Sequence, residues 1–367
     1  MTLTNYWWLL IWLFAGKIFD IGFPKRTERL GQREVERWDF LPALLLAVPY
    51  IVWAGFRKDG FGDTYLYRRI FLEAETNLLQ IPVYFLNDSK DPGFSSYLVL
   101  FKYLFGSSDE LFFLVIAAFQ MMCVALTFRK YSSDYWISIF LFIISTDYLS
   151  WMHNGMRQFI AVAMIFAGFG LLVEKKYVPL IILILIAAQF HGSALLMLPV
   201  IFIVQRRAWN RWTVLTLIAT MVGIVFIDRF TPILNDLLQD TQYDDIMTNE
   251  IWSTDDGTNI FRVAVYSVPA VLSLVGLPYV RAADDPVINV SVNCSIVTMA
   301  LYAVAAVSSG IYIGRLPIYT TLMGYIALPW LIDHMFTKES AKMVKVIMIG
   351  AYLAFFYYQM HYSWGVL

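Results

Sequence analysis

The sequence predicts an all-α integral membrane protein, polytopic, with about 11–12 transmembrane segments plus a re-entrant or short hairpin. Three observations predict it. Hydrophobic residues make up 59% of the 367-residue chain and aromatic residues 17%, with a mean hydropathy of +0.62. Charged residues reach only 15%, where a soluble domain carries about 25%. Apolar runs recur roughly every 25 to 35 residues from end to end, with no polar half that forms a separate soluble domain. The chain therefore reads as a single polytopic membrane domain over 1–367, with long outer loops at about 57–110 and 229–260. A net charge of −1 and the lack of a basic tail give no sign of a nucleic-acid partner. Cys123 and Cys294 sit inside apolar runs and read as small core residues, so neither a disulfide nor a metal site is expected.

The first run, NYWWLLIWLFAGKIFDIGF, predicts a span over 5–23; it lacks a basic leading region and a small-residue cleavage site, so a retained span is expected rather than a signal peptide. Further spans are expected over 39–56, 110–128, 135–150, 158–173, 212–228, 260–279, 287–307, 316–332 and 343–358, with the run 178–204 set apart. Most of the 27 Lys and Arg residues fall in one set of loops: Lys25 to Arg37, Arg129/Lys130, Lys175/Lys176, Arg206 to Arg211, Arg281, and Lys338 to Lys345. That set is expected to be cytoplasmic, which places both termini outside and makes Arg57 to Glu110 and Arg229 to Ile260 external. Within the first external segment, FSSYLVLFKYLFG, with Lys102, is too short at about 1.5 Å per residue to cross a core of about 30 Å. It is expected to lie on or dip into the outer leaflet.

The 178–204 run obeys the same arithmetic. Its flanks, Lys175/Lys176 and Arg206/Arg207, both belong inside, so the chain must go out and return. Its only polar interruption is Gln189-Phe190-His191-Gly192-Ser193, which divides it into two arms of about twelve residues, roughly 18 Å each. The turn then lies in the outer half of the membrane, where irregular backbone is tolerated only if it is buried in protein or lines a watery cavity. His191 is expected to face a cavity open to the outside.

Ionisable side chains collect at the same level. Asp63, Tyr65 and Tyr67 follow the second span; Asp91 precedes the outer-leaflet helix; Asp147, His153, Arg157 and Gln158 lie between the fourth and fifth spans. Taken singly, each has an ordinary reading: a snorkelling arginine, a helix-to-helix hydrogen bond from a histidine, a turn at Asp91-Pro92-Gly93. The acidic stretch from Asp236 to Asp256 reads as a solvated external loop. Together the pattern is more specific. Arg57, Arg157, Arg262 and Arg315 all run against the inside bias for cations, come from separate spans, and fall at the depth of His191 and Asp63. Arginines gathered on an outer cavity suit a phosphate, which guanidinium binds through two parallel hydrogen bonds. A carboxylate and an imidazole beside them supply acid and base for chemistry on a hydroxyl. No Walker loop, dinucleotide fingerprint, HExxH or nucleophile elbow is present. The substrate this implies is a lipid-linked phosphate.

The residues that carry this pattern also carry a resemblance. Arg57…Asp63-x-Tyr65, Asp91-Pro92-Gly93-Phe94, Met156-Arg157-Gln158-Phe159-Ile160-Ala161, Phe190-His191-Gly192-Ser193-Ala194-Leu195 and Gly314-Arg315-x-x-x-Tyr319 resemble the EpsG/Wzy-like family of bacterial exopolysaccharide and O-antigen polymerases. The likeness runs over nearly the whole chain. Members usually have Glu where Asp91 stands, and often an acid where Gly314 stands here. The resemblance implies a GT-C-like glycosyltransferase that moves a growing glycan from polyprenyl (undecaprenyl) diphosphate to a sugar hydroxyl of the next lipid-linked repeat unit. It implies inversion at the anomeric carbon, no cofactor, no nucleotide sugar, and an active site at the periplasmic or exterior face of the bacterial inner membrane. In that scheme Arg157 and Arg315, supported by Arg57 and Arg262, hold the diphosphate; Asp63 is the base; and His191 is either that base or a hydrogen-bond donor to the diphosphate. Gln158, Tyr65, Asp91, His153 and Tyr319 complete the expected substrate-binding set, and Tyr65, Tyr67, Trp151 and Trp252 are candidate sugar-stacking rings. The partners implied are the lipid-linked donor and acceptor, the bilayer, a chain-length regulator and a flippase. A glycan ligase would present nearly the same site. A flippase or transporter of lipid-linked oligosaccharide is the alternative of a different class, and the lack of an internal repeat argues against it.

Overall fold

The structure is a computed structural model that describes residues 6–23, 25–30, 33–60, 62–87, 90–226, 257–308, 310 and 313–364. In chain order the main elements are α1 (Tyr6–Ala15), a β-hairpin of β1 (Lys25–Leu30) and β2 (Arg33–Trp38), α2 (Phe40–Gly55), α3 (Thr64–Glu73), α4 (Gln80–Leu86), α5 (Pro92–Phe105), α6 (Asp109–Tyr131), α7 (Tyr135–Ile144), α8 (Asp147–His153), α9 (Met156–Ala167), α10 (Tyr177–Ala188) and α11 (Met197–Val204). They continue with α12 (Arg211–Val225), α13 (Ile260–Val275), α14 (Leu277–Ala283), α15 (Pro286–Ala306), α16 (Ile318–Met335) and α17 (Lys338–Tyr358). Every predicted span contains a helix, and the outer-leaflet segment is the 14-residue α5.

Among the described residues three helices are long and apolar enough to cross a membrane: Asp109–Tyr131, Pro286–Ala306 and Lys338–Ser363. Two more candidates are bent pairs, α7 with α8 at 65° and α13 with α14 at 72°; six further apolar helices are shorter. The fold is that of an all-α polytopic membrane protein, with full-length crossings fewer than the 11–12 expected. The breaks have local causes. The expected span 135–150 is interrupted at Thr146, whose φ of 67° is left-handed and stops α7. The span 260–279 breaks at Gly276, and Pro278, which has no N–H to give, is accommodated in the first turn of α14. The 178–204 run breaks where the polar residues predict, between α10 and a 3-10 turn at Gly192–Leu196.

The basic stretch 25–38, expected as a cytoplasmic loop, is instead an antiparallel β-hairpin that pairs Lys25 with Trp38 and Leu30 with Arg33. An isolated two-stranded hairpin is marginal in water, so its anchoring matters. Trp38 packs on Tyr135 with ring centroids 5.2 Å apart, its indole N–H donates to Asp20 at 3.0 Å, and Arg129 Nε donates to its carbonyl at 2.8 Å. Glu28 is gripped by both Arg37 and Arg129.

The chain divides into two compact units: Met1–Leu171 with Lys176–Leu195 and Ile332–Leu367, and Leu172–Lys175 with Leu196–Leu331. In the first, α2 packs on α6, α6 on α9, and α9 on α10. A Cβ added at Gly55 would stand 2.8 Å from the Leu114 Cα, so this glycine sets the close approach of α2 to α6. Beside it Phe71 and Phe112 stack at 4.3 Å in an aromatic cluster with Tyr67, Phe94, Phe101 and Phe113. In the second unit α15 is central, with α11, α12 and α13 packed on it. Asn293 of α15 donates to the carbonyls of Val204 and Arg206, at 3.0 and 2.8 Å, capping the end of α11.

Candidate functional site

The first unit brings three separated motifs together: the start of α5, the tip 189–193, and the first turn of α9. Asp91 precedes α5 with a left-handed φ of 54°, a conformation Asp tolerates better than most residues. This bend turns the first amides of α5 onto the tip. Gly93 N–H donates to the Gln189 carbonyl at 2.8 Å, and Phe94 N–H shares the same oxygen at 3.3 Å. A Cβ at Gly93 would lie 2.6 Å from Gln189 Cβ and 2.9 Å from its carbonyl oxygen, so only glycine permits this contact without a shift.

The Asp91 carboxylate accepts from the Gly192 N–H of the tip and from Nη1 of Arg157 at 2.8 Å. Its side chain is 3% exposed while that of Arg157 is 28% exposed. Burial pushes the Asp91 carboxyl above its usual range, although Arg157, the Gly192 N–H and Lys90 each pull it down. The Arg157 guanidinium lies over the Phe94 ring, 5.6 Å from its centroid, and its Nε is buried with no hydrogen-bond partner. Next in α9, Gln158 donates to Ser193 Oγ at 3.3 Å, and Ser193 Oγ meets His191 Nδ1 at 2.7 Å. Gln120 of α6 donates to the Met156 carbonyl at 2.9 Å and fixes the entry to α9.

Asp63 sits immediately before α3, half-buried, with no ion pair among the described residues. Its neighbour Gly62 has φ +60°, and a Cβ there would stand 2.0 Å from Asn154 Oδ1, so this turn lies directly on residues 153–154. Tyr65 is 59% exposed. Two residues further, Tyr67 is buried against Phe94, the ring that carries Arg157. Tyr67 and Trp151, which packs on Phe159, are core rings with no face for a sugar; Trp252 and the acidic stretch from Asp236 to Asp256 lie outside the described residues.

Two expected site residues are deeply buried. Arg57 donates through Nε to the Ala54 carbonyl and through Nη1 to the Met152 carbonyl, both at 2.6 Å, and lies 4.9 Å from the Phe113 centroid. Burial pulls its guanidinium down to about 10, so it keeps its charge at neutral pH. His153 is buried between Trp53 and Tyr148, at 5.1 and 5.9 Å.

Arg262, Arg315 and Tyr319 belong to the second unit. Arg262, in the first turn of α13, lies 5.6 Å from the Tyr266 ring and 6.0 Å from that of Tyr302; the two tyrosines stack at 4.7 Å. Arg315 is exposed at the end of a 3-10 turn, Ile313–Arg315, which packs on α15, and Tyr319 is buried. Thr258 N–H donates to the Ala305 carbonyl at 2.9 Å, so the start of α13 is tied to the end of α15.

Sequence reasoning missed Ser193, although it stands inside the quoted tip motif; its position two residues after His191 was the available signal. Gln189 and Gln120 act through main-chain contacts, which leave no pattern in side-chain chemistry.

Fold and cluster together define a polytopic membrane protein with a carboxylate-held arginine, an imidazole and a separate free carboxylate at the ends of short helices. A protein-family model described as the EpsG family matches residues 40–365, almost the whole chain, and the protein belongs to that family. No curated protein and no solved structure matches it. Membership supports a polysaccharide-polymerase role of glycosyltransferase type for a multi-pass membrane protein with lipid-linked glycan substrates.

Proposed function

We propose that the protein transfers a growing glycan from polyprenyl (undecaprenyl) diphosphate to a sugar hydroxyl of a new lipid-linked repeat unit, at the outer face of the bacterial inner membrane. The observation that carries this reading is Arg157: a partly exposed guanidinium, held on one nitrogen by Asp91 and close to the Ser193–His191 pair. Such a cation stabilises the charge that develops on a departing diphosphate, and because a diphosphate is already a good leaving group, positioning and charge stabilisation outweigh protonation. Asp63 takes the proton of the attacking hydroxyl, since its carboxylate is not committed to an ion pair among the described residues. Tyr65 offers an exposed ring beside it. Arg315 and Arg262 are proposed as diphosphate contacts on charge alone, Arg315 being the more exposed. A GT-C-like architecture, inversion, metal independence, and a chain-length regulator and flippase as partners belong to the same proposal and rest on the family resemblance.

The test is purified protein in nanodiscs supplied with undecaprenyl-diphosphate-linked repeat units. The expected result is a ladder of lengthened lipid-linked glycans. Transfer only to a lipid A core acceptor would make the protein a ligase. Movement of the units across a liposome membrane without lengthening would make it a transporter.

A further inference from the structure

Among the described residues the structure commits only one nitrogen of Arg157. A guanidinium carries five N–H groups in a planar fork, so it can serve two acceptors at once without either displacing the other. Nη1 is bound to Asp91. Among the described residues Nε is buried without a hydrogen-bond partner and no protein acceptor bonds Nη2, while the side chain keeps 28% of its surface exposed. With Nε buried and Nη1 on Asp91, Nη2 is the donor left for a phosphoryl oxygen.

Asp91 cannot itself meet a sugar. Its side chain is 3% exposed, and its carboxylate already accepts from both Arg157 and the Gly192 N–H. It stands where α5, the tip and α9 join: the backbone of Gly93 and Phe94 holds Gln189, while the carboxylate holds Gly192 and Arg157. Its left-handed backbone aims the carboxylate at both partners.

We infer that Asp91 is a positioning residue, which fixes Arg157 through Nη1 so that its Nη2 receives a phosphoryl oxygen of the lipid diphosphate. This rests on the diphosphate reading of the site. It removes Asp91 from the substrate-binding set and gives it a role through Arg157 alone. The carboxylate stays in place when the anion binds, because the two acceptors use different nitrogens.

The experiment is a double-mutant cycle read as the Kd of undecaprenyl diphosphate for nanodisc-embedded protein, with thermal stability followed in parallel. Asp91→Asn suits the left-handed backbone and keeps the shape, so it removes only the charge. It is expected to weaken binding about tenfold, and Arg157→Gln about a hundredfold. The double variant should bind no more weakly than Arg157→Gln alone, because Asp91 acts only through that arginine. Asp91→Glu, which keeps the charge, should bind within a few-fold of the wild type. If the two losses instead multiply in the double variant, Asp91 touches the ligand directly and the inference fails. If Asp91→Asn changes melting temperature but not Kd, its role is structural only and the inference fails. If wild-type protein does not bind undecaprenyl diphosphate, the diphosphate reading itself fails. Should Asp91→Asn not fold, Arg157→Lys decides: a single ammonium lacks the two separated nitrogens that hold Asp91 and the phosphoryl oxygen in fixed positions, so binding that stays near wild type overturns the inference.

Discussion

Arg57 and Arg157 stand in the same unit, both defy the inside preference for cations, and both rest on a phenylalanine ring, yet they are held in opposite ways. Arg57 is dry and spends two of its nitrogens on main-chain carbonyls of Ala54 and Met152. It ties the end of α2 to the end of α8. Arg157 has one carboxylate partner, a buried Nε, and an Nη2 that no protein acceptor meets among the described residues. The comparison teaches that the sign of a charge and its depth in the membrane do not distinguish a structural cation from a binding one. Each leaves one nitrogen buried without a partner among the described residues, Nη2 of Arg57 and Nε of Arg157; what distinguishes them is that an anion can reach the partly exposed Arg157 and not the buried Arg57.

The largest effect that follows is on chemistry. Arg157→Gln is expected to lower chain elongation by about 100- to 1,000-fold, the scale of losing one group that stabilises developing negative charge, per folded molecule and beyond the stability lost by leaving the buried Asp91 carboxylate without its cation. Glycan length and thermal unfolding measured on the same preparation check this. If elongation survives the change, Arg157 is no more a ligand than Arg57.

Arg57→Gln should do the reverse. It leaves two buried carbonyls without their charged donors, at a cost of roughly 1–3 kcal/mol each. Folded protein recovered in detergent should fall, whereas turnover per folded molecule stays within a few-fold of wild type. A selective loss of turnover with normal stability would place Arg57 at the diphosphate after all. Gly93→Ala lies between the two. The added methyl meets the Gln189 backbone at 2.9 Å and must push the tip away from α5, costing about 1–3 kcal/mol. Elongation should drop together with stability, and a further reduction of Gln189 to Ala should not restore it, since the clash is with the carbonyl oxygen as well as the side chain.

Much of this was legible in the sequence for a simple reason. Apolar length and the placement of Lys and Arg report burial in lipid, and each predicted span holds a helix, with the break at 189–191 where polar residues interrupt the run, whereas the short helices Thr64–Glu73 and Gln80–Leu86 were read as outer loop. The short arms followed from length alone. The bend at Thr146 was not legible, because a left-handed residue inside an apolar window leaves no trace in hydropathy. The β-hairpin was missed because its charges masked the alternation of Lys25 to Leu30 and Arg33 to Trp38. In the site, the motif residues Asp91, Arg157, Gln158 and His191 do meet through Gly192 and Ser193. The burial of Arg57 and His153 was hidden, since it depends on which aromatic rings from α2, α6 and α8 close over them.

The smallest effect separates the two arginines by pH. Arg57 is held by carbonyls, which do not titrate, so its setting is constant from mildly acidic to neutral pH. Arg157 is held by Asp91, which faces Arg157, Lys90 and the Gly192 N–H next to His191, and whose carboxyl lies above its usual range because burial outweighs these partners. As pH falls through that raised value Asp91 takes up a proton, loses its charge, and becomes equivalent to asparagine. The ratio of undecaprenyl diphosphate Kd between Asp91→Asn and wild type should therefore shrink toward one on acidification, starting at a higher pH than for an ordinary carboxylate near 3.9. The phosphate's own titration is common to both proteins and cancels in the ratio. A ratio that stays constant down to the ordinary carboxylate range would mean that the charge of Asp91 does not orient Arg157, and the contrast between the two arginines would then rest on exposure alone.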